Sequence, residues 1–417
     1  MTPLNWTEQA EVVVIGGGII GCSVAYHLAR AGVADVLLVE RLELAAATTA
    51  RSAGQLSFGR TDVNMIRMAK QTQAVIPELE NEIGASLDFQ RAGNLRLAFS
   101  SEREAELTKL ESVLVSEGVN VERLDRRAAG EMCPWLDMSQ VRASLLLADA
   151  GHIDGPRLAM AYAQAARARG VRLWRGVEVE DIVVEDANVV GVRTSRANVR
   201  AKYVVDAAGA WSPQLARSIG WYVAAVPTRS HFWITAPNAA GAPDQPNVSL
   251  PDFQVYTRRE MGGLLIGFQE PVSRTFDPFG LAPDLDRVPM FDATADLELL
   301  GQQLAPMRDI VRDIDHWQFA HHIAGLSTYT PDGKFLIGRF AGLSGFLVAT
   351  GCCGSGVLAS AGIGQLTADL ILDRAPSVDA TVFEPDRFGP VDPSNAEFHA
   401  RCAAARAGKS RSRAIAA

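Results

Sequence analysis

Residues 11–32 read EVVVIGGGIIGCSVAYHLARAG, and this stretch constrains the fold more than any other part of the chain. The β-branched run Val12-Val13-Val14-Ile15 ends directly against Gly16-x-Gly18-x-x-Gly21. Apolar spacing from Ile19 to Ala31 suits a helix closed by Gly32. A second short strand, DVLLVE, ends at Glu40, 19 positions beyond Gly21. A lone glycine pattern is weak, but strand, tight turn, helix, strand and terminal acid together frame a βαβ unit that holds an adenine dinucleotide. The glycines let backbone approach a pyrophosphate, while Ile19 and Ile20 open a helix whose free N–H groups carry partial positive charge. A carboxylate at Glu40 accepts both ribose hydroxyls and repels the additional phosphate of NADP.

Competing readings of the chain fail on charge and composition. No Lys or Arg stands among the first ten residues, as a secretory leader requires. The longest uncharged run, 340–368, carries seven glycines and reads as strand, loop and buried helix, not as a membrane span. A net charge of −8 argues against a nucleic-acid surface. The five cysteines include no CxxC pair, so neither a disulfide framework nor a metal site is expected, and a reducing cytoplasm is the default. Cys352 and Cys353 are adjacent; packing beside a glycine loop explains them better than redox pairing.

FAD and NAD both use the opening unit, and the segment after Arg41 chooses between them. A nicotinamide dehydrogenase would continue with further βα repeats, whereas LELAAATTARSAGQLSFGR reads as an extended loop of small residues. Such a loop can run beneath a flavin ring and offer Thr48, Thr49, Arg51 and Ser52 to phosphates and ring edge. Tyr203 to Asp206 forms a strand leading into Ala207-Ala208-Gly209-Ala210. Phe346 to Ala349 forms another, entering Gly351-Cys352-Cys353-Gly354-Ser355-Gly356 and then a helix over 357–372.

These pieces, in this order, resemble the D-amino-acid oxidase superfamily of FAD enzymes, over about residues 11–375. The matching motifs are the glycine turn with Glu40-Arg41, TTARSAGQ, KYVVDAAGAWSPQLA, GLSTYTPDGKFLIG and GFLVATGCCGSGV. The resemblance implies an α/β chain with an α+β cap: a Rossmann-like FAD-binding domain under an antiparallel-sheet substrate-binding cap domain. It also assigns cofactor contacts to Ala53, Gly54, Gln55, Val179, Ala208, Gly209, Trp211, Gly351, Gly354, Ser355, Gly356 and Val357. Gly325 stands where monomeric sarcosine oxidases carry a flavin-linked cysteine, and TTARSAGQL has no histidine, so the FAD is expected to be non-covalent. The cofactor domain is expected to be discontinuous, at 9–85, 149–223 and 321–376. The cap takes 86–148 and 224–320, and 377–417 forms an extension with a basic, flexible tail.

The cap strands are SHFWITAP and FQVYTRREMGGLLIGFQE, whose Glu260 to Gly263 reads as a hairpin turn. Relatives that oxidise free amino acids hold the carboxylate with an arginine between GL and TPDG; here that position is Ser327. Glycine oxidase has a second arginine in its C-terminal glycine loop, and nothing basic lies between Gly351 and Val357. If a carboxylate is bound, its cation must come from Arg51, Arg60, Arg229 or Arg258, with Arg258 and Arg60 best placed. Tyr256 and His231 lie on cap strands that could face the flavin, His152 reads as structural, and His321 or His322 could reach the pocket. No lysine occurs in the cap hairpin, which weakens an oxidase role.

The resulting expectation is oxidation of a C–N bond in an amino acid or secondary amine, with an N-substituted amino acid favoured. Oxygen, a quinone or a partner subunit would take the electrons, and homo- or hetero-oligomers are open. A 2-hydroxy-acid or polyol-phosphate dehydrogenase needs a dense pocket of cations, which the sequence does not display. A non-catalytic flavoprotein subunit is the third reading.

Overall fold

The structure is a computed structural model that describes residues 5–409. Its first sheet is built on the run Val12-Val13-Val14, in which every side chain is fully buried. Strand Glu8–Ile15 pairs in parallel with Val36–Glu40 on one side and Asn198–Asp206 on the other. Asn198–Asp206 also pairs in parallel with Leu343–Thr350, and Val36–Glu40 with Arg172–Arg175. Because side chains alternate along a strand, Val12 and Val14 face one layer and Val13 and Ile15 the other. The first layer is helical: Ile19–Arg30, Gly155–Ala168 and Ser360–Ile371 pack there through Val24, Leu28, Leu158, Tyr162 and Leu366. The second is covered by the antiparallel strands Val179–Glu185 and Asn188–Thr194. A strand buried on both faces has to be apolar at every position, which explains the unbroken β-branched run.

Local chemistry sets the element ends. The Asp154 carboxylate accepts from the Arg157 N–H at 2.7 Å to cap the helix Gly155–Ala168, which has Pro156 in its first turn. Helix Ile19–Arg30 lies so close to the turn before it that a Cβ on Gly21 would sit 1.8 Å from the Gly16 carbonyl oxygen. The helix expected over 357–372 is shorter, Ser360–Ile371, because the chain spends Val357 to Ala359 in turns leaving the glycine loop.

The second sheet has eight strands in the order Phe319–Tyr329, Val226–Thr235, Gly263–Phe268, Val255–Glu260, Asn247–Leu250, Asn94–Ala98, Ala143–Leu147 and Val121–Leu124. Val255–Glu260 and Gly263–Phe268 form the expected hairpin, and its Met261-Gly262 corner has φ of 50° and 79°. The sheet is not wholly antiparallel, contrary to the expectation. Asn247–Leu250 and Asn94–Ala98, from the two separate cap segments, meet in parallel with Val248 opposite Leu95. Strand Phe319–Tyr329 runs in this sheet throughout, pairing Ser327 with Thr228, so a boundary at 321 falls inside a strand.

The C-terminal stretch contains the helix Ala396–Ala407, capped by the Asn395 side chain accepting from the Glu397 and Phe398 N–H groups. Phe398, Cys402 and Ala405 bury against Val226, Tyr329 and Cys353, at the junction of the two sheets. The remainder of the expected flexible tail, 410–417, lies outside the described residues. No helix of the described residues is long and apolar enough to cross a membrane.

Candidate functional site

One cavity of about 1380 Å³ runs from the glycine turn to the underside of the second sheet. Ordinary small-molecule pockets span roughly 300–1,000 Å³, so there is room for a dinucleotide and a second molecule. At the adenine-type end, Glu40 closes the wall: its carboxylate accepts from the Gly17 N–H and the Leu42 N–H, each at 2.7 Å. Gly18 precedes helix Ile19–Arg30 and brings no side-chain cap of its own, so apart from the Ile19 N–H, which Thr49 takes, the helix end faces a ligand anion. Ile19 and Ile20 line the cavity with Gly16 and Gly18. Arg41 lies 4.1 Å from the centroid of the Trp211 ring, and burial pulls its guanidinium pKa down. Val179, Ala208 and Gly209 complete this end.

The loop after Arg41 crosses the cavity as a wall. Thr49 Oγ1 accepts from the Ile19 N–H at 3.1 Å, and Thr48 Oγ1 donates to the Leu326 carbonyl at 2.5 Å. These two hydroxyls tie the loop to the first helix and to the cap strand carrying Gly325 and Ser327. Ser52 Oγ donates to the Thr49 carbonyl at 2.9 Å, and Gln55 Nε2 to the Thr257 carbonyl at 3.1 Å. Ala53 and Gly54 line the same face. At the far end the loop 351–356 supplies Gly354, Ser355, Gly356 and then Val357 to the wall.

Several expected site residues are placed elsewhere or are already engaged. Gly21 is absent from the cavity wall and serves the helix–turn approach described above, while Gly351 packs behind the loop near Leu336. Arg258 is not in the wall: its Nε donates to the Ala53 carbonyl at 2.6 Å and its guanidinium pairs with Glu260. Arg51 is spent on the Ala46 and Ala47 carbonyls and on Asp286. Arg229 is buried between Glu270 and Asp296, at 3.2 and 2.6 Å. His231 reaches the wall, but its Nε2 lies 2.8 Å from Glu270 Oε1 and its Nδ1 2.8 Å from His322 Nε2. His322 stacks flat on Trp233 at 3.9 Å, and neither it nor the exposed His321 touches the cavity. His152 is held by Asn247, as a structural residue would be.

Tyr256 and Ser327 do face the cavity. Burial raises the Tyr256 phenol pKa, so it remains a donor. Ser327 Oγ accepts from the Gly354 N–H at 2.7 Å, tying the cap strand to the glycine loop. Arg60 lines the cavity and donates to Ser355 Oγ at 3.3 Å. Arg96, Arg406 and Lys409 line it too, and the sequence reading missed all three. The signal for Arg406 was present: Phe398, Cys402, Ala405 and Arg406 recur at helical spacing along one face.

A parallel βαβ unit with a ribose-type carboxylate, an open helix end and a long cavity roofed by a second sheet defines a dinucleotide-dependent oxidoreductase of the flavin type. Residues 11–370 match the family described as FAD dependent oxidoreductase (DAO), and the chain belongs to it. The chain is 31% identical over 91% of its length to 4-methylaminobutanoate oxidase (formaldehyde-forming) of Paenarthrobacter nicotinovorans. It is 29% identical over 93% of its length to the mitochondrial dimethylglycine dehydrogenase of Rattus norvegicus. The chain spans about half the length of these curated relatives, 46% in both cases. Among solved structures, L-proline dehydrogenase from P. horikoshii shares the fold, with a TM-score of 0.80 at 24% identity, covering 91% of this chain and 98% of that one.

The residues present fit FAD. The cradle at Gly16–Gly18, the Glu40 carboxylate and the length of cavity beyond Thr49 suit the three parts of that cofactor.

Proposed function

We propose that the chain oxidises the C–N bond of an N-substituted amino acid. Supporting this is one continuous cavity that joins the dinucleotide cradle at Glu40 to a capped chamber lined by Tyr256, Ser327 and Arg60. Bound FAD, held without a covalent link, supplies the two-electron acceptor. The chain's own residues enclose and orient the substrate beneath the second sheet, with Tyr256 and Ser327 as hydroxyl groups toward it. Loss of two electrons and a proton, together a hydride, from the neutral amine leaves an iminium ion, which water splits into a carbonyl compound, an amine and a proton. The two relatives' names specify N-methyl amino compounds, which agrees with this substrate class.

Domain limits follow the same reading: the cofactor unit takes the parallel sheet and its helices, and the cap takes the eight-stranded sheet. A second reading is favoured by one observation. The dense set of cations that the sequence did not display is assembled in the fold, from Arg60, Arg96, Arg406 and Lys409. Such a pocket also suits a 2-hydroxy acid.

The test is anaerobic absorbance of the FAD-loaded protein against N-alkyl amino acids, plain amines and 2-hydroxy acids. Bleaching by an N-alkyl amino acid supports the proposal, and recovery in air identifies oxygen as acceptor. Bleaching only by hydroxy acids transfers the assignment to C–O oxidation. A protein that binds no FAD overturns both.

A further inference from the structure

The roofed end of the cavity gathers four cations, Arg60, Arg96, Arg406 and Lys409. Among the described residues, no carboxylate lies within ion-pair distance of Arg60, Arg96, Arg406 or Lys409. Arg406 is 4% exposed. Its Nε donates to Ser230 Oγ at 3.2 Å and one terminal nitrogen to the Phe268 carbonyl at 3.1 Å. The other terminal nitrogen is buried with no partner, as is Arg60 Nε. Unused donors on buried cations cost free energy until an anion takes them up.

The glycine loop shows where that anion belongs. The loop has no basic side chain of its own, and a Cβ on Gly354 would fall 2.8 Å from Lys409 Nζ and 2.7 Å from the Tyr329 hydroxyl. The space into which a side chain at 354 would project is therefore occupied by an ammonium group from the C-terminal segment. Lys409 Nζ donates to the Gly354 carbonyl at 2.7 Å. The residue itself is exposed, yet enclosure of the ammonium, with Arg60 and Arg406 nearby, brings its pKa down to about 7.

We propose that the C-terminal helix completes the substrate pocket: Arg406 and Lys409, with Arg60 across the cavity, hold a substrate carboxylate beside the loop 351–356. This deepens the function proposed above and rests on the same cavity. Charge-assisted hydrogen bonds from three cations would fix the carboxylate, in place of a single arginine on the cap strand. The same positive field disfavours a protonated amine next to it. A bound amino acid thereby presents its nitrogen with a free lone pair, the form from which an α-hydrogen can leave with its electron pair.

The test uses the FAD-loaded full chain and calorimetric titration with acetate, propionate and butyrate at fixed ionic strength. One of these acids binds, and Arg406→Met weakens it by ~10–100-fold, the range for a lost charged hydrogen bond. Lys409→Met weakens it by about ten-fold, and Arg406→Lys recovers part of the loss. Lys409 is exposed and its variant folds, so the experiment stands even where Arg406→Met does not. The matching neutral amides bind alike to all forms. Unchanged carboxylate binding in Lys409→Met and Arg406→Met, or equal loss for acids and amides, overturns the proposal. So does failure of every acid to bind the unmodified protein. Whether amines bleach the flavin is read separately, so the two readings fail independently.

Discussion

The Glu40 carboxylate accepts a 2.7 Å hydrogen bond from the Gly17 N–H, closing the glycine turn onto the end of the second strand. The bond orders the turn before any cofactor arrives and leaves lone pairs for a ribose. Glu40→Ala therefore removes both the preformed turn and the ribose contact, and FAD affinity falls by ~10–100-fold, as for two lost charge-assisted bonds. Glu40→Gln, which keeps one acceptor, falls between. Flavin fluorescence titration measures this; equal affinity in all three forms would show that the adenosine lies elsewhere.

Two glycines of similar sequence appearance should respond in opposite directions. At Gly21 a methyl group would meet the Gly16 carbonyl at 1.8 Å, so alanine forces helix and turn apart. The expected loss is ~3 kcal/mol or more, at the upper end for overpacking. Gly301, within the helix Ala293–Leu304, has open space where a methyl group would project, with no atom within 4 Å, and alanine there should add ~0.5–1 kcal/mol. Denaturant unfolding of both variants measures the contrast, and a tolerated Gly21→Ala would refute the close approach.

Asp206 is fully buried, accepting from the Ala208 N–H at 2.9 Å and from Ser212 Oγ at 2.8 Å, with its second oxygen unpartnered. Burial raises its pKa to about 6 from an ordinary 3.8. Between those values the folded chain holds the proton that the unfolded chain releases, so stability falls as pH rises from about 4 to about 6. The difference amounts to about 3 kcal/mol. Asp206→Asn cannot titrate, and the slope of stability against pH across that window should flatten. Chemical denaturation at several pH values tests it, and an unaltered slope would remove Asp206 as its source.

His231 is held by Glu270 and His322 instead of being free toward a substrate. Despite the burial that opposes it, contact with His231 and Arg229 keeps the Glu270 carboxyl below the usual range. His231→Gln should cost ~1–3 kcal/mol of stability through an unsatisfied buried group, yet change kcat by less than about three-fold. Glu270→Gln, which leaves Arg229 with one carboxylate fewer, should cost more, ~3–5 kcal/mol. A hundred-fold fall in kcat for His231→Gln at full flavin content would place the imidazole in the chemistry after all.

The cofactor half was legible because its elements are local. The run Val12–Ile15, the three glycines, Glu40 and the strand ending at Asp206 each announce themselves within a few residues, through period and turn chemistry. The cap hairpin at Met261-Gly262 was legible for the same reason. The parallel meeting of Asn247–Leu250 with Asn94–Ala98 was not, since nothing in either strand records a partner about 150 residues away. The substrate end was the least legible. Arg258 sits on a cap strand near the cavity, but a carbonyl at Ala53 and the carboxylate of Glu260 claim it. Arg406 and Lys409 lie in a stretch whose alanines and arginines read as a solvated tail, and only packing on Val226 and Tyr329 turns that face inward.

The eight-stranded sheet takes its strands from residues 94–147, 226–268 and 319–329, with the cofactor-unit strands Arg172–Arg175 to Asn198–Asp206 lying between the first two groups. No single cut in the chain releases it. Substrate preference in such an architecture cannot be changed by exchanging one contiguous module for another. It has to shift residue by residue around the cavity, or through a contributor that follows the interleaved strands in the chain, the helix carrying Arg406.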